Sequence, residues 1–146
     1  MTENRVLDDL LCFDLYSLSR MVTALYRPVL DPHGLTYPQY LVLVTLTRVG
    51  PCSIGDIARA TRLDHGTLTP LLRRLADRGL LTLDRSATDA RSVTVALTPD
   101  GESLKPVLHE AQCHLGKSLG LTEPQVRRLQ STLHHLADHL DNPTAD

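Results

Sequence analysis

Residues 53–97 read SIGDIARATRLDHGTLTPLLRRLADRGLLTLDRSATDARSVTVAL, and their order decides the fold. Ser53-Ile54-Gly55-Asp56 is a capping-box-like start, with Asp in place of Glu, for a short helix ending near Ala60. A turn over residues 61–66 leads to a second helix, Thr67–Arg78, in which Leu68, Leu71, Leu72 and Leu75 form an inward stripe. Thr67 is its expected N-cap, which puts Pro70 in the first turn; inside a helix a proline costs about 3 kcal/mol. At about 100° per residue, Thr69, Pro70, Arg73 and Asp77 lie opposite the leucines, with Thr67 and Arg74 on the flank. Gly79 closes this helix. Leu81 and Leu83, then Val93, Val95 and Leu97, alternate with polar neighbours, so two strands flank the polar loop 86–91. The result is a β-hairpin over about 81–97 with Arg85 and Arg91 near its ends. Two short helices, a turn and a wing form a winged helix-turn-helix, whose second helix suits the major groove of duplex DNA.

The charge distribution agrees with that reading. The chain of 146 residues carries a formal charge of −2, which by itself argues against a polyanion partner. Residues 59–91, however, hold seven arginines against four aspartates, a local charge of +3 that leaves −5 for the rest. A basic segment inside an acidic frame points to a nucleic-acid-binding lobe. Thr67, Thr69, Pro70 and Arg74 are the candidates for base contacts, and His65, Arg73 and Arg78 for phosphates. Arg85 and Arg91 belong to the wing. Nothing resembles a signal peptide or a run long enough to span a membrane, and the three cysteines form neither a disulfide framework nor a zinc spacing. A cytoplasmic protein without cofactor or metal is expected.

The flanks are helical. Residues 7–30 read as one long helix, with Leu11, Leu15, Leu18, Val22, Leu25 and Val29 in a heptad-like stripe. Asp31-Pro32-His33-Gly34 breaks it. Thr36 then caps a helix with Pro38 in its first turn, which Gly50-Pro51 ends. Thr98-Pro99 opens a helix to about Leu119, and Thr122-Glu123-Pro124-Gln125 is a capping box for a last helix striped by Val126, Leu129, Leu133, Leu136 and Leu140. The fold expected is mainly α with a small β-hairpin. One domain spans 1–146: a DNA-binding lobe over 36–99 and dimerisation helices in 1–35 and 100–146. Terminal stripes suited to other helices make a homodimer the economical assembly, reading a near-palindromic operator with half-sites about one helical turn apart.

The first forty residues contain a second signal. LCFDLYSLSRMVTALYRPVLDPHGLTYPQY holds Cys12 and every aromatic residue of the chain: Phe13, Tyr16, Tyr26, Tyr37 and Tyr40. So few aromatics crowded about one thiol point to a site. Cys52, in a turn after Gly50-Pro51, has nothing around it to suggest a role.

The wing segment DRSATDARSVTVALTPDG and the order of elements resemble the MarR family of winged-helix repressors. LCFDLYSLSR, YRPVLDPHGLTYPQYLVL and LDHGTLTPLLRRL look like its organic-hydroperoxide-sensing branch, OhrR. The resemblance covers nearly the whole chain. It implies a dimeric repressor, not an enzyme, with an organic hydroperoxide as inducer. It carries onto Cys12 as sensing cysteine, onto Tyr26 and Tyr37 as thiol partners, and onto Asp89 and Arg91 as the wing tip. Helical spacing adds Tyr16, one turn from Cys12 and adjacent to it. Some members add a resolving cysteine in the second-last helix, and Cys113 in CHLG falls there, which implies an intersubunit Cys12–Cys113 disulfide. Helix arithmetic adds a constraint: Tyr26 lies fourteen residues beyond Cys12, about 21 Å along a straight helix. Only the Tyr26 of a partner crossing antiparallel could reach the thiol.

Rival readings fit the same residues. The same fold serves repressors released by a small phenolic or anionic ligand, with Cys12 a bystander. A thiol peroxidase would leave the arginine-rich lobe unexplained, and the chain lacks a CxxC motif. His135 and His139, or His109, Cys113 and His114, do not complete a metal-ligand set.

Overall fold

The computed structural model describes residues 6–89 and 91–142. Its backbone divides into two compact units, Met1–Leu115 and Gly116–Asp146. The first unit opens with α1 (Leu11–Leu25) and a single turn α2 (Arg27–Leu30), followed by a 3-10 turn over Asp31–His33. Then come α3 (Tyr37–Val49), β1 (Cys52–Ser53), α4 (Ile54–Thr61), α5 (His65–Asp77), β2 (Leu81–Arg85), β3 (Val93–Leu97), α6 (Pro99–Glu102) and α7 (Lys105–Ser118), whose residues from Gly116 on belong to the second unit. The second unit holds α8 (Glu123–Asp141). Mainly helical with a small antiparallel sheet, the chain is the winged helix expected from its sequence.

Local chemistry explains the boundaries. Thr36 caps α3 and Ser53 caps α4 through reciprocal capping boxes with Gln39 and Asp56. Asp64, not Thr67, caps α5: its Oδ1 accepts from the Thr67 N–H at 2.6 Å, so the helix starts one turn earlier than expected. Pro70 therefore sits inside the helix. Its cost of about 3 kcal/mol is outweighed by burying Leu68, Leu71, Leu72 and Leu75, each worth roughly 1.5–3 kcal/mol.

Two prolines correct the expected long helices. Pro28 falls in the first turn of α2, where it lacks the N–H that would continue α1, so the stretch 7–30 is two helices and not one. Pro106 follows a break at residues 103–104 that separates α6 from α7. The hairpin is as expected, with Leu83 opposite Val95, and β3 is central because β1 joins its other edge. Cys52 thus lies in a strand paired with Val95, not in a turn. Gly101 lets α6 cross the hairpin base: a Cβ there would stand 2.0 Å from the Leu80 carbonyl oxygen.

The core fills the lobe and takes in residues from both flanks, among them Leu30 of α2 and Leu108 and Ala111 of α7. Leu30, Leu43, Ile57, Leu68, Leu72, Leu75, Val42 and Val95 are fully buried. By contrast, none of the residues of α1 is buried, and none of α8. On α1, Leu11, Leu18 and Met21 are each more than half exposed; on α8, Leu129 and Leu140 are at least half exposed.

Candidate functional site

The outward face of α5 presents what the sequence assigned to it. His65, Thr67, Thr69, Pro70, Arg73 and Arg74 are all exposed, while the leucines on the opposite side hold the helix in the lobe. The turn before it is set by Arg62, in the left-handed region at φ 56, and by the Asp64 cap. The Thr67 backbone N–H beside the Asp64 carboxylate keeps its pKa below the usual range. Arg73 and Arg74 form no ion pair among the described residues, so their charge is available to a partner. Arg59, on α4, is tied to Asp56.

The wing tip is shaped by its own side chains. The Asp89 carboxylate accepts from the Arg91 N–H at 3.0 Å, and Ser86 Oγ accepts from the N–H groups of Thr88 and Asp89 at 3.3 Å each. The Ser86 N–H donates to the Ser92 carbonyl at 2.8 Å. Arg85 and Arg91 are both exposed. Ala90, in the same loop, lies outside the described residues.

Arg78 is different. Although exposed, its guanidinium reaches back across the lobe and donates to the Gly34 carbonyl at 2.7 Å and the His33 carbonyl at 2.8 Å. The residue expected at a phosphate is thus bonded to the turn that joins α2 to α3.

The aromatic cluster splits in two. Cys12 and Tyr16 are exposed on α1, with the Arg20 guanidinium 5.6 Å from the centre of the Tyr16 ring. Tyr26 differs from them in burial: it follows Leu25, the last residue of α1, and is only 6% exposed. It packs on Tyr37 and Tyr40, with ring centres 4.9 Å apart in both pairs, and Tyr37 lies 5.9 Å from Tyr40. The Tyr26 hydroxyl donates to the Tyr40 oxygen, which also receives a bond from Gln112 on α7. The Tyr37 hydroxyl has no hydrogen-bond partner among the described residues. Burial raises the pKa of all three phenols, so each stays protonated and able to donate at neutral pH.

Tyr26 and Tyr37 line a cavity of about 430 Å³ together with Thr23, Arg27, Leu30, Asp31, Leu35, Thr36 and Pro38. Cys12 is not part of its lining. Sequence reasoning missed Tyr40 as the link of this cluster, although its place three residues after Tyr37 puts both on one face of α3. It also missed Arg27, whose guanidinium is the cavity's cation and has no ion-pair partner among the described residues.

Cys113 is exposed on α7, with its Sγ 3.6 Å from His109 Nε2 one turn earlier, next in sequence to the Gln112 that bonds Tyr40. Cys52 is half-buried, and burial raises its thiol pKa, which disfavours the reactive thiolate. Among the described residues no cluster of three His, Cys, Asp or Glu side chains could hold a metal ion, and no helix is long and apolar enough to cross a membrane.

Known proteins resemble the chain over most of its length. A family model described as MarR family matches residues 33–92. The organic hydroperoxide resistance transcriptional regulator of Bacillus subtilis (strain 168) is 40% identical over 137 residues, 92% of this chain and 91% of that protein. Among solved structures, reduced AbfR bound to DNA superposes with a TM-score of 0.78 at 32% identity, covering 93% of this chain and 95% of that one. Disulfide-formed AbfR gives 0.65 at 34% identity, covering 90% and 92%; AbfR is a protein of Staphylococcus epidermidis.

Proposed function

The chain is a transcriptional regulator of the MarR family, and from that premise we propose that it is a cytoplasmic, dimeric repressor whose grip on operator DNA is released when an organic hydroperoxide oxidises Cys12. The observation that carries this reading is the separation of the thiol from its phenols. Cys12 stands exposed near the start of α1, while Tyr26 and Tyr37 line a cavity past the end of that helix, whose Leu25 lies about 20 Å along the axis from Cys12. A helix with no buried residue needs a cover, and a second copy laid antiparallel across α1 supplies one. That arrangement brings each Cys12 to the partner's cavity.

The chemistry is then defined. The Cys12 thiolate attacks the outer oxygen of the hydroperoxide; the S–O bond forms, the O–O bond breaks, and the alkoxide leaves as the alcohol after taking a proton. Tyr37, whose hydroxyl is otherwise unpartnered among the described residues, donates to the thiolate. Tyr26 joins by giving up its bond to Tyr40. The apolar wall of Leu30, Leu35 and Pro38 favours a hydroperoxide with an apolar substituent. The sulfenic acid then meets the partner's Cys113 thiol: the S–S bond forms and water leaves. His109, 3.6 Å from Cys113, is placed to take the thiol proton.

On DNA, α5 enters the major groove with Thr67, Thr69, Pro70 and Arg74 at base edges, His65 and Arg73 at phosphates, and Asp89 ordering the wing that presents Arg85 and Arg91. The B. subtilis relative is named for organic hydroperoxide resistance, and AbfR is recorded both on DNA and with a disulfide, which supports carrying these roles to this chain. A second reading, release by a small anionic ligand, is favoured by Arg27 at the cavity. Gel shift with DNA from upstream of the gene separates the two. Release by cumene hydroperoxide in wild type and not in Cys12→Ser supports oxidation; equal release in both sinks it. On a non-reducing gel, a peroxide-induced covalent dimer that survives Cys113→Ser would remove the resolving role.

A further inference from the structure

We infer that Arg78 is a strut that ties the tyrosine wall of the thiol site to the DNA-reading helix, so that oxidation at one is felt at the other; this rests on the redox reading above. Its guanidinium grips two successive carbonyls, His33 at 2.8 Å and Gly34 at 2.7 Å, across 45 and 44 residues of sequence. Those carbonyls belong to the short turn that leaves α2, just after Tyr26, and enters α3 at Tyr37. Arg78 itself is the C-cap of α5. The turn is built around this grip. Gly34 has φ 61, a left-handed conformation that disfavours side chains, and a Cβ there would lie 3.5 Å from the Arg78 guanidinium.

The grip has the chemistry of a rigid link. A guanidinium presents donors in a fixed planar fork, so two carbonyls held at once define direction as well as distance. The opposite end of α5, at Thr67, is eleven residues away, about 16 Å along the helix. A tilt of a few degrees at the clamped end displaces the base-reading end by about an ångström. When the thiol of the partner exchanges its phenol contacts for a disulfide, the α2–α3 turn shifts and the strut passes that shift to α5. Arg78 is therefore a positioning residue, not a phosphate contact, even though it is exposed and cationic.

Arg78→Met tests this with three readouts. As a strut, Arg78 can be lost with little change in the reduced protein's operator affinity, within about threefold, and no change in its salt dependence. The ratio of oxidised to reduced dissociation constants should fall about tenfold, the scale of an ordinary coupling between sites. Amide hydrogen exchange at residues 33–37 and 75–80 should rise together. A salt slope reduced by about 1.8 for the dimer would make Arg78 a phosphate contact and overturn the assignment. Unchanged release with unchanged exchange at 33–37 would overturn it as well. Were wild type itself not released by hydroperoxide, the redox reading would fail, and unchanged exchange at 33–37 in Arg78→Met would then be enough to reject the strut. If Arg78→Met does not fold, Arg78→Lys carries the same comparison, since it keeps the charge and loses the fork.

Discussion

Replacing Arg73 by Gln should leave a signature in the salt dependence of operator binding. Arg73 stands on the outward face of α5, exposed and without an ion pair among the described residues, opposite the buried Leu68–Leu75 stripe. Its substitution therefore costs the fold almost nothing. In a dimer the change removes two phosphate contacts. Each neutralised phosphate contributes about 0.9 to the slope of log affinity against log salt, so the slope should become shallower by about 1.8. Between 50 and 200 mM salt, a fourfold range, that amounts to a factor of about 12. Wild type should lose about 12-fold more affinity over this range than Arg73→Gln does. Fluorescence anisotropy of a labelled operator duplex across a salt series measures it directly. Arg59→Gln is the control, because that guanidinium is already paired with Asp56 on α4. A slope for Arg73→Gln equal to that of wild type would refute the docking of this face on DNA.

Other expectations concern the scaffold. Asp64→Ala removes the acceptor of the Thr67 N–H and should destabilise the lobe, read as a lower Tm, with Asp64→Asn restoring much of it. Gly101→Ala places a methyl 2.0 Å from the Leu80 carbonyl oxygen; the base of the hairpin must shift, and a loss of about 1–3 kcal/mol in denaturant unfolding follows. The buried phenols set an alkaline limit. Burial raises the folded-state pKa of Tyr26, Tyr37 and Tyr40 above the unfolded value of about 10, so the stability they contribute is intact below that pH and lost as pH rises beyond it. Tyr26→Phe should flatten the decline of stability between pH 9.5 and 11, roughly the window above the unfolded phenol value; an unchanged decline would contradict the burial argument.

The lobe was legible because its signals are local and periodic. The leucine stripe of α5, the Ser53–Asp56 and Thr36–Gln39 capping boxes and the alternation of β2 and β3 each lie within a few residues of sequence. The break at Pro28 was hidden by Val29, which continues the stripe of α1 past its end at Leu25. Tyr26 is buried by its packing on Tyr37 and Tyr40 of α3, a contact that counting along α1 does not reveal. The start of α5 was misplaced because Pro70 suggested a first-turn position, whereas the four buried leucines tolerate it one turn further in. A two-residue strand such as β1 has no period to read. The Arg78 clamp and the Tyr26–Tyr40–Gln112 chain join residues far apart in sequence, and no pattern along one chain announces them.

The central claim is that each thiol site is built from two chains, and mixed dimers test it most directly. Cys12→Ser and Tyr37→Phe chains, each carrying a different affinity tag, would be combined, the heterodimer isolated, and its rate of Cys12 sulfenylation by cumene hydroperoxide measured with a dimedone probe. If Cys12 works with the partner's Tyr37, the heterodimer retains one intact site, in which Cys12 of the Tyr37→Phe chain faces the Tyr37 of the other, and that thiol reacts at the wild-type rate. If the site lay within one chain, the only remaining Cys12 would share its chain with the Tyr37→Phe substitution, and the heterodimer would react as slowly as the Tyr37→Phe homodimer.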